Sequence, residues 1–153
     1  TSVFNTVLSQ RRAITLQNHA PRSERFPFVS RFLEQWYACE PARRSMDMYI
    51  IFWGEKDAAL FKKGMQKFYP NVAEGSWTAV IADVPAHAAA PSGVRDQIIA
   101  SWKKWYGITY MMDLDNPPMY GAMLDSELLL YNGSDCGPES EWYRLFERVS
   151  ALE

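Results

Sequence analysis

Apolar residues along this chain recur with two different periods, and the change from one to the other marks out its elements. Residues 13–18 (Ala-Ile-Thr-Leu-Gln-Asn) are moderately β-prone and predict a first short strand. Phe28, Phe32, Leu33, Trp36 and Tyr37 then recur at spacings of three and four, which predicts a helix with Pro27 in its first turn and an end near Pro41. Residues 46–53 are the clearest buried strand, ended by Gly54 and the charged trio Glu55-Lys56-Asp57. Leu60, Phe61, Met65 and Phe68 share one face of a second helix over 57–69, which Pro70 stops. Residues 77–84 read as another strand, closed by Pro85, and small residues dominate the connector 86–90. Ser92 suits an N-cap, and Val94, Ile98, Ile99, Trp102, Trp105 and Tyr106 give an apolar stripe at helical spacing, with Gly107 as the expected break. An Asp115-Asn116-Pro117-Pro118 turn leads into the apolar run Met119-Tyr120-Gly121-Ala122-Met123-Leu124. The last stretch, 139–152, reads as an amphipathic helix with Trp142, Leu145, Phe146 and Val149 inward.

Strand and helix thus alternate four times. That order predicts an α/β fold, a three-layer arrangement of a mainly parallel sheet with helices on both faces. In such sheets ligands bind beyond the carboxyl ends of the strands. The length of 153 residues fits a single domain spanning 1–153, and 48% hydrophobic residues with 14% aromatics suffice for a core. Most of the tryptophans and tyrosines fall on strands or helical stripes, where packing accounts for them; Trp53, at a strand end, is the one that reads as a rim residue.

A net charge of −2 argues against a general nucleic-acid binder. Arginines nonetheless crowd the first third (Arg11, Arg12, Arg22, Arg25, Arg31, Arg43, Arg44), as a solvated basic face or as partners for a small anion. No apolar run is long enough to span a membrane. Cys39 and Cys136 are far apart and lack metal-like spacing; nothing in the sequence supports one disulfide between them, and two free thiols fit at least as well. His19 and His87 both fall in loop-like segments, and Asn132-Gly133-Ser134 has the pattern of an N-glycosylation acceptor.

The chemistry concentrates in Asp125-Ser126-Glu127, which follows the run 119–124 and precedes Leu128-Leu129-Leu130-Tyr131. Two carboxylates amid apolar sequence are costly unless compensated, and a hard divalent cation compensates them. At i and i+2 of an extended segment their side chains share one side, so one Mg²⁺ or Mn²⁺ fits both; a solvated bend between two strands is the plainer reading.

The stretch Trp102-Lys103-Lys104-Trp105-Tyr106-Gly107-Ile108, followed by Met119–Leu124 and then Asp125-Ser126-Glu127, resembles the GT-A class of glycosyltransferases. The resemblance covers roughly residues 13–131, with its specific part in the last 35 or so. It implies a nucleotide-diphosphate-sugar-binding domain whose metal strand ends in an Asp-Ser-Glu form of the Asp-X-Asp motif. Carried over by position, Asp125 faces the donor and the metal, and Glu127 is the more direct metal ligand. Lys103 or Lys104 matches the helix lysine near the donor diphosphate, with Arg95 facing the same cleft. Asn18, His19, Arg22 and Arg25 fall where the base and ribose are received.

The expected function is therefore metal-dependent sugar transfer from a nucleotide-sugar donor to an unspecified acceptor, with Mn²⁺ or Mg²⁺ as cofactor. Only 26 residues follow Glu127, without the histidine that members of the class often place beyond the metal strand. The sequence accordingly reads as a piece of a longer glycosyltransferase, as a reduced relative, or as a glycosyltransferase-like module that binds without catalysis. An unrelated α/β phosphotransfer or hydrolase domain using Mg²⁺ is a further alternative.

Overall fold

The structure is a computed structural model describing residues 12–17, 26–52, 54–82, 92–124, 135–137 and 139–150. Its elements in chain order are β1 (Arg12–Gln17), α1 (Phe26–Ala38), α2 (Glu40–Ser45), β2 (Met46–Phe52), α3 (Glu55–Phe68), β3 (Thr78–Ile81), α4 (Ser92–Met112), β4 (Tyr120–Leu124) and α5 (Glu141–Ser150). The strands form one four-stranded sheet in the order β3-β2-β1-β4, with every pair parallel. The chain is thus a mixed α/β domain built on a parallel sheet.

Side-chain alternation along β2 divides the core in two. Met46, Met48, Ile50 and Phe52 pack with Val29, Phe32, Leu33 and Trp36 of α1, Ala58, Phe61 and Met65 of α3, and Trp142 and Leu145 of α5. Tyr49 and Ile51 pack on the other side with Val80, Ala82 and Met111. With apolar contacts on both faces, β2 reads as an apolar run broken only at Asp47, which is why it was the plainest strand in the sequence. Ring contacts tie the layers: Phe32 to Trp142 at 5.5 Å, Phe52 to Phe61 at 5.3 Å, and Tyr49 to Tyr110 at 5.7 Å between centroids.

Several boundaries depart from the sequence reading. Pro41 does not end the first helical segment. The chain breaks at Cys39 and restarts as α2, with Pro41 in the first turn, where its missing N–H costs nothing. Glu55-Lys56-Asp57 do not close β2 but open α3, where Glu55 and Asp57 complement the positive helix end. On α3 the buried face is Ala58-Phe61-Met65, while Leu60 and Phe68 are exposed. On α1 Val29 is buried and Phe28 exposed. Gly107 does not break α4, which continues to Met112; the roughly 1 kcal/mol helix cost of glycine is outweighed by packing along the sheet. Ser140 caps α5 by accepting from the Tyr143 N–H at 3.3 Å. Trp53, His87 and Asn132-Gly133-Ser134 lie outside the described residues, as do the side chains of Phe146 and Val149.

Cys39 and Cys136 form a disulfide, their Cα atoms 5.6 Å apart across 97 residues of sequence. Spacing alone left this pair open because pairing depends on where α1 ends relative to the approach to α5. The bond closes a long loop, and loss of such a cross-link widens the unfolded ensemble. Cys39→Ser with Cys136→Ser is expected to lower unfolding free energy by about 2–4 kcal/mol, read as a urea midpoint shift that reductant reproduces in the parent chain.

The α3–β3 connection is held by a tight turn. The Ser76 N–H donates to the Ala73 carbonyl at 3.1 Å, and Gly75 between them sits at φ +83°. Those features define a type II turn with glycine at its third position. A Cβ at Gly75 would meet nothing within 4 Å, so a substitution is strained only through φ. Gly75→Ala should therefore cost about 1 kcal/mol in chemical denaturation, and Gly75→Asn less, because asparagine tolerates the left-handed region.

Candidate functional site

β1 lies at the centre of the strand connectivity. From it the chain steps to β2 and β3 on one side, then returns through α4 to β4 on the other. The order reverses between β1 and β4. In open parallel sheets ligands bind beyond the carboxyl ends of the strands at such a reversal of order; here the helices that follow β1 and β4, α1 and α5, pack together on one face through Phe32 and Trp142. The register is Ile14 with Ala122, Thr15 with Met123 and Leu16 with Leu124, so β1 and β4 end side by side, about 5 Å apart.

The groups proposed from sequence flank these ends in the chain. Asn18, His19, Arg22 and Arg25 follow β1, and Asp125-Ser126-Glu127 follows Leu124 immediately; all lie outside the described residues. The structure places side by side the carboxyl ends of β1 and β4, the strands that these residues follow in the chain. Among the described residues no three His, Cys, Asp or Glu side chains converge as a metal site.

The third component is α4, the helix between β3 and β4. Tyr110 packs on Tyr49 of β2, and a side chain at Gly121 of β4 would meet the Met111 Cε at 3.1 Å. Glycine at 121 thus lets the end of α4 sit close against β4. Lys103 lies seven residues before Tyr110, or about 10 Å back along the helix. Arg95 is in the first turn of α4, and its side chain lies outside what is described.

Lys103 is only 1% exposed, whereas Lys104 is half-buried. Both lysines have interaction partners. A buried ammonium carries a desolvation cost that only an opposite charge or a set of acceptors offsets, so such lysines are rare away from paired sites. Of the two candidates, Lys103 is the one turned inward beneath the helix. The predicted stripe holds at Tyr106 but not at Trp102 and Trp105, whose rings are 38% and 62% exposed; the inward ridge is Lys103, Tyr106, Gly107, Tyr110 and Met111, and the side chains of Val94, Ile98 and Ile99 lie outside what is described. The missed signal was spacing. Lys103, Tyr106 and Tyr110 stand three and four residues apart, one helical row that begins with a charge.

Lys103→Met retains most of the stem and deletes the ammonium, leaving its partner unpaired. We expect it to destabilise by about 2 kcal/mol in urea unfolding, against no more than about 0.5 kcal/mol for Lys104→Met. Compared with known proteins, the chain matches no family model and no curated protein significantly.

Proposed function

We propose that this chain is the nucleotide-sugar-binding α/β domain of a metal-dependent glycosyltransferase of the GT-A kind, with its donor site at the carboxyl ends of β1 and β4. The observation that carries this reading is the reversal of strand order between β1 and β4, with the Asp125-Ser126-Glu127 triplet next in the chain after β4. A three-layer GT-A architecture belongs to the same proposal; the parallel sheet with helices against its two faces supports it. The inward Lys103 is a buried cation on the helix that leads into β4.

The donor set fits a hard divalent ion, since Asp125 and Glu127 offer carboxylate oxygens and no soft sulfur or imidazole. Those two residues would hold Mn²⁺ or Mg²⁺, which when bound supplies Lewis-acid neutralisation of diphosphate charge. Lys103 would orient the diphosphate or sugar from beneath α4, and Arg95 would add positive charge at the start of that helix. Asn18, His19, Arg22 and Arg25 would contact base and ribose after β1. Transfer also requires an acceptor and a group to manage its proton; no residue is assigned to either role.

Calorimetric titration with UDP- and GDP-sugars, with and without Mn²⁺, tests the reading. Binding of at least one donor should depend on the metal. It should weaken roughly tenfold or more, about 1.4 kcal/mol, in Asp125→Ala with Glu127→Ala. Metal-independent behaviour, or turnover of plain phosphate esters without any nucleotide-sugar binding, would overturn it. Metal-dependent binding with neither hydrolysis nor transfer would identify a binding module on the same site.

A further inference from the structure

A second concavity lies at the opposite end of the sheet, where the loop from α3 enters β3. It encloses about 390 Å³, within the usual range for small-molecule sites of roughly 300–1,000 Å³. Buried Met65 and Val72 contribute its apolar floor, and half-buried Trp77 lines it. Lys62 and Gln66, one turn apart on α3, and Glu74 on the type II turn supply exposed polar groups around it. None of these three polar side chains makes a hydrogen bond or ion pair among the described residues.

The walls are preformed. Gly75 at φ +83° and the Ser76-to-Ala73 hydrogen bonds fix the turn that carries Glu74. Phe61 holds the Trp77 indole edge-on, with ring centroids 5.6 Å apart and planes at 90°. A rigid indole beside an apolar floor suits the C–H surface of a ring. Uncommitted donors on Lys62 and Gln66, with acceptors on Gln66 and Glu74, suit hydroxyl groups. One positive and one negative side chain leave the rim without a net preference for an anion or a cation. A purely apolar ligand would bury polar groups without partners, at about 1–3 kcal/mol each.

We propose that this cavity binds a neutral, pyranose-sized carbohydrate. The site is separate from the proposed donor crevice: residues 69–77 lead into the amino end of β3, whereas the crevice lies at the carboxyl ends of β1 and β4. A sugar held here is therefore not the reacting donor sugar but a ligand of the domain's opposite end.

Saturation-transfer NMR on the full chain tests this with methyl glycosides of glucose, galactose, mannose and N-acetylglucosamine at about 10 mM, suited to a millimolar Kd. L-Norleucine serves as a zwitterionic probe. Transfer to the ring protons of at least one glycoside is expected, and should fall roughly fivefold or more in Trp77→Ala. Lys62→Met with Gln66→Leu, at exposed positions that leave the core intact, should give the same loss. Asp125→Ala with Glu127→Ala should leave the signal unchanged, which separates this site from the donor site. No transfer from any glycoside, transfer to norleucine alone, or equal transfer in the Lys62/Gln66 variant would overturn the proposal.

Discussion

The rule that parallel strands are joined by crossovers of one hand governs this structure. The steps from β1 to β2 and from β2 to β3 move one way across the sheet, with α1, α2 and α3 packed on one face. The return from β3 to β4 moves the other way, so keeping the same hand requires α4 to lie on the opposite face. The separate cluster of Tyr49, Ile51, Val80, Ala82 and Met111 is the packing result of that requirement. It buries both faces of β2, and β1 and β4 lie adjacent. The adjacent carboxyl ends of β1 and β4 are thus a consequence of topology before they are a matter of any side chain.

Lys103 has its meaning within that arrangement. On an isolated helix its charge would sit wherever solvent was nearest. Here α4 must cover the sheet, and the row through Lys103, Tyr106 and Tyr110 faces inward while Trp102 and Trp105 face outward. Hiding an ammonium while exposing indoles runs against transfer energetics. Such inversions are expected where a function requires the charge. Asp125 and Glu127 come next in the chain after β4, and Lys103 lies on the helix that leads into that strand. The cavity beside Trp77 is different in kind, with an apolar floor, a balanced polar rim and no excess charge.

Element type was legible wherever periodicity was strong. β2 was plain because both of its faces are covered, and α1 because four of its large apolar residues share one face. The errors fall where local signals compete. Proline stops some helices and starts others, so Pro41 was read as an end when it lies in the first turn of α2. Glycine weakens a helix by an amount that tertiary packing readily exceeds, so Gly107 lies within α4. Apolar residues occur on more than one side of α4, so no stripe was unique and the inward face was assigned to Trp102 and Trp105. At the site, the triplet and the choice between two lysines were visible, but the inward turn of Lys103 was not.

By itself, the sequence determined the alternation of strands and helices, and hence an α/β domain on a parallel sheet. Those properties follow from short-range periodicity and turn residues, which each segment carries within itself. Only the tertiary structure decided the order β3-β2-β1-β4, the side of the sheet that α4 covers, the burial of Lys103, the union of Cys39 with Cys136, and the cavity beside Trp77. Each of these joins groups distant along the chain or selects among several apolar faces. Such choices are made by the packing of the whole domain, where many small contact energies compete at once.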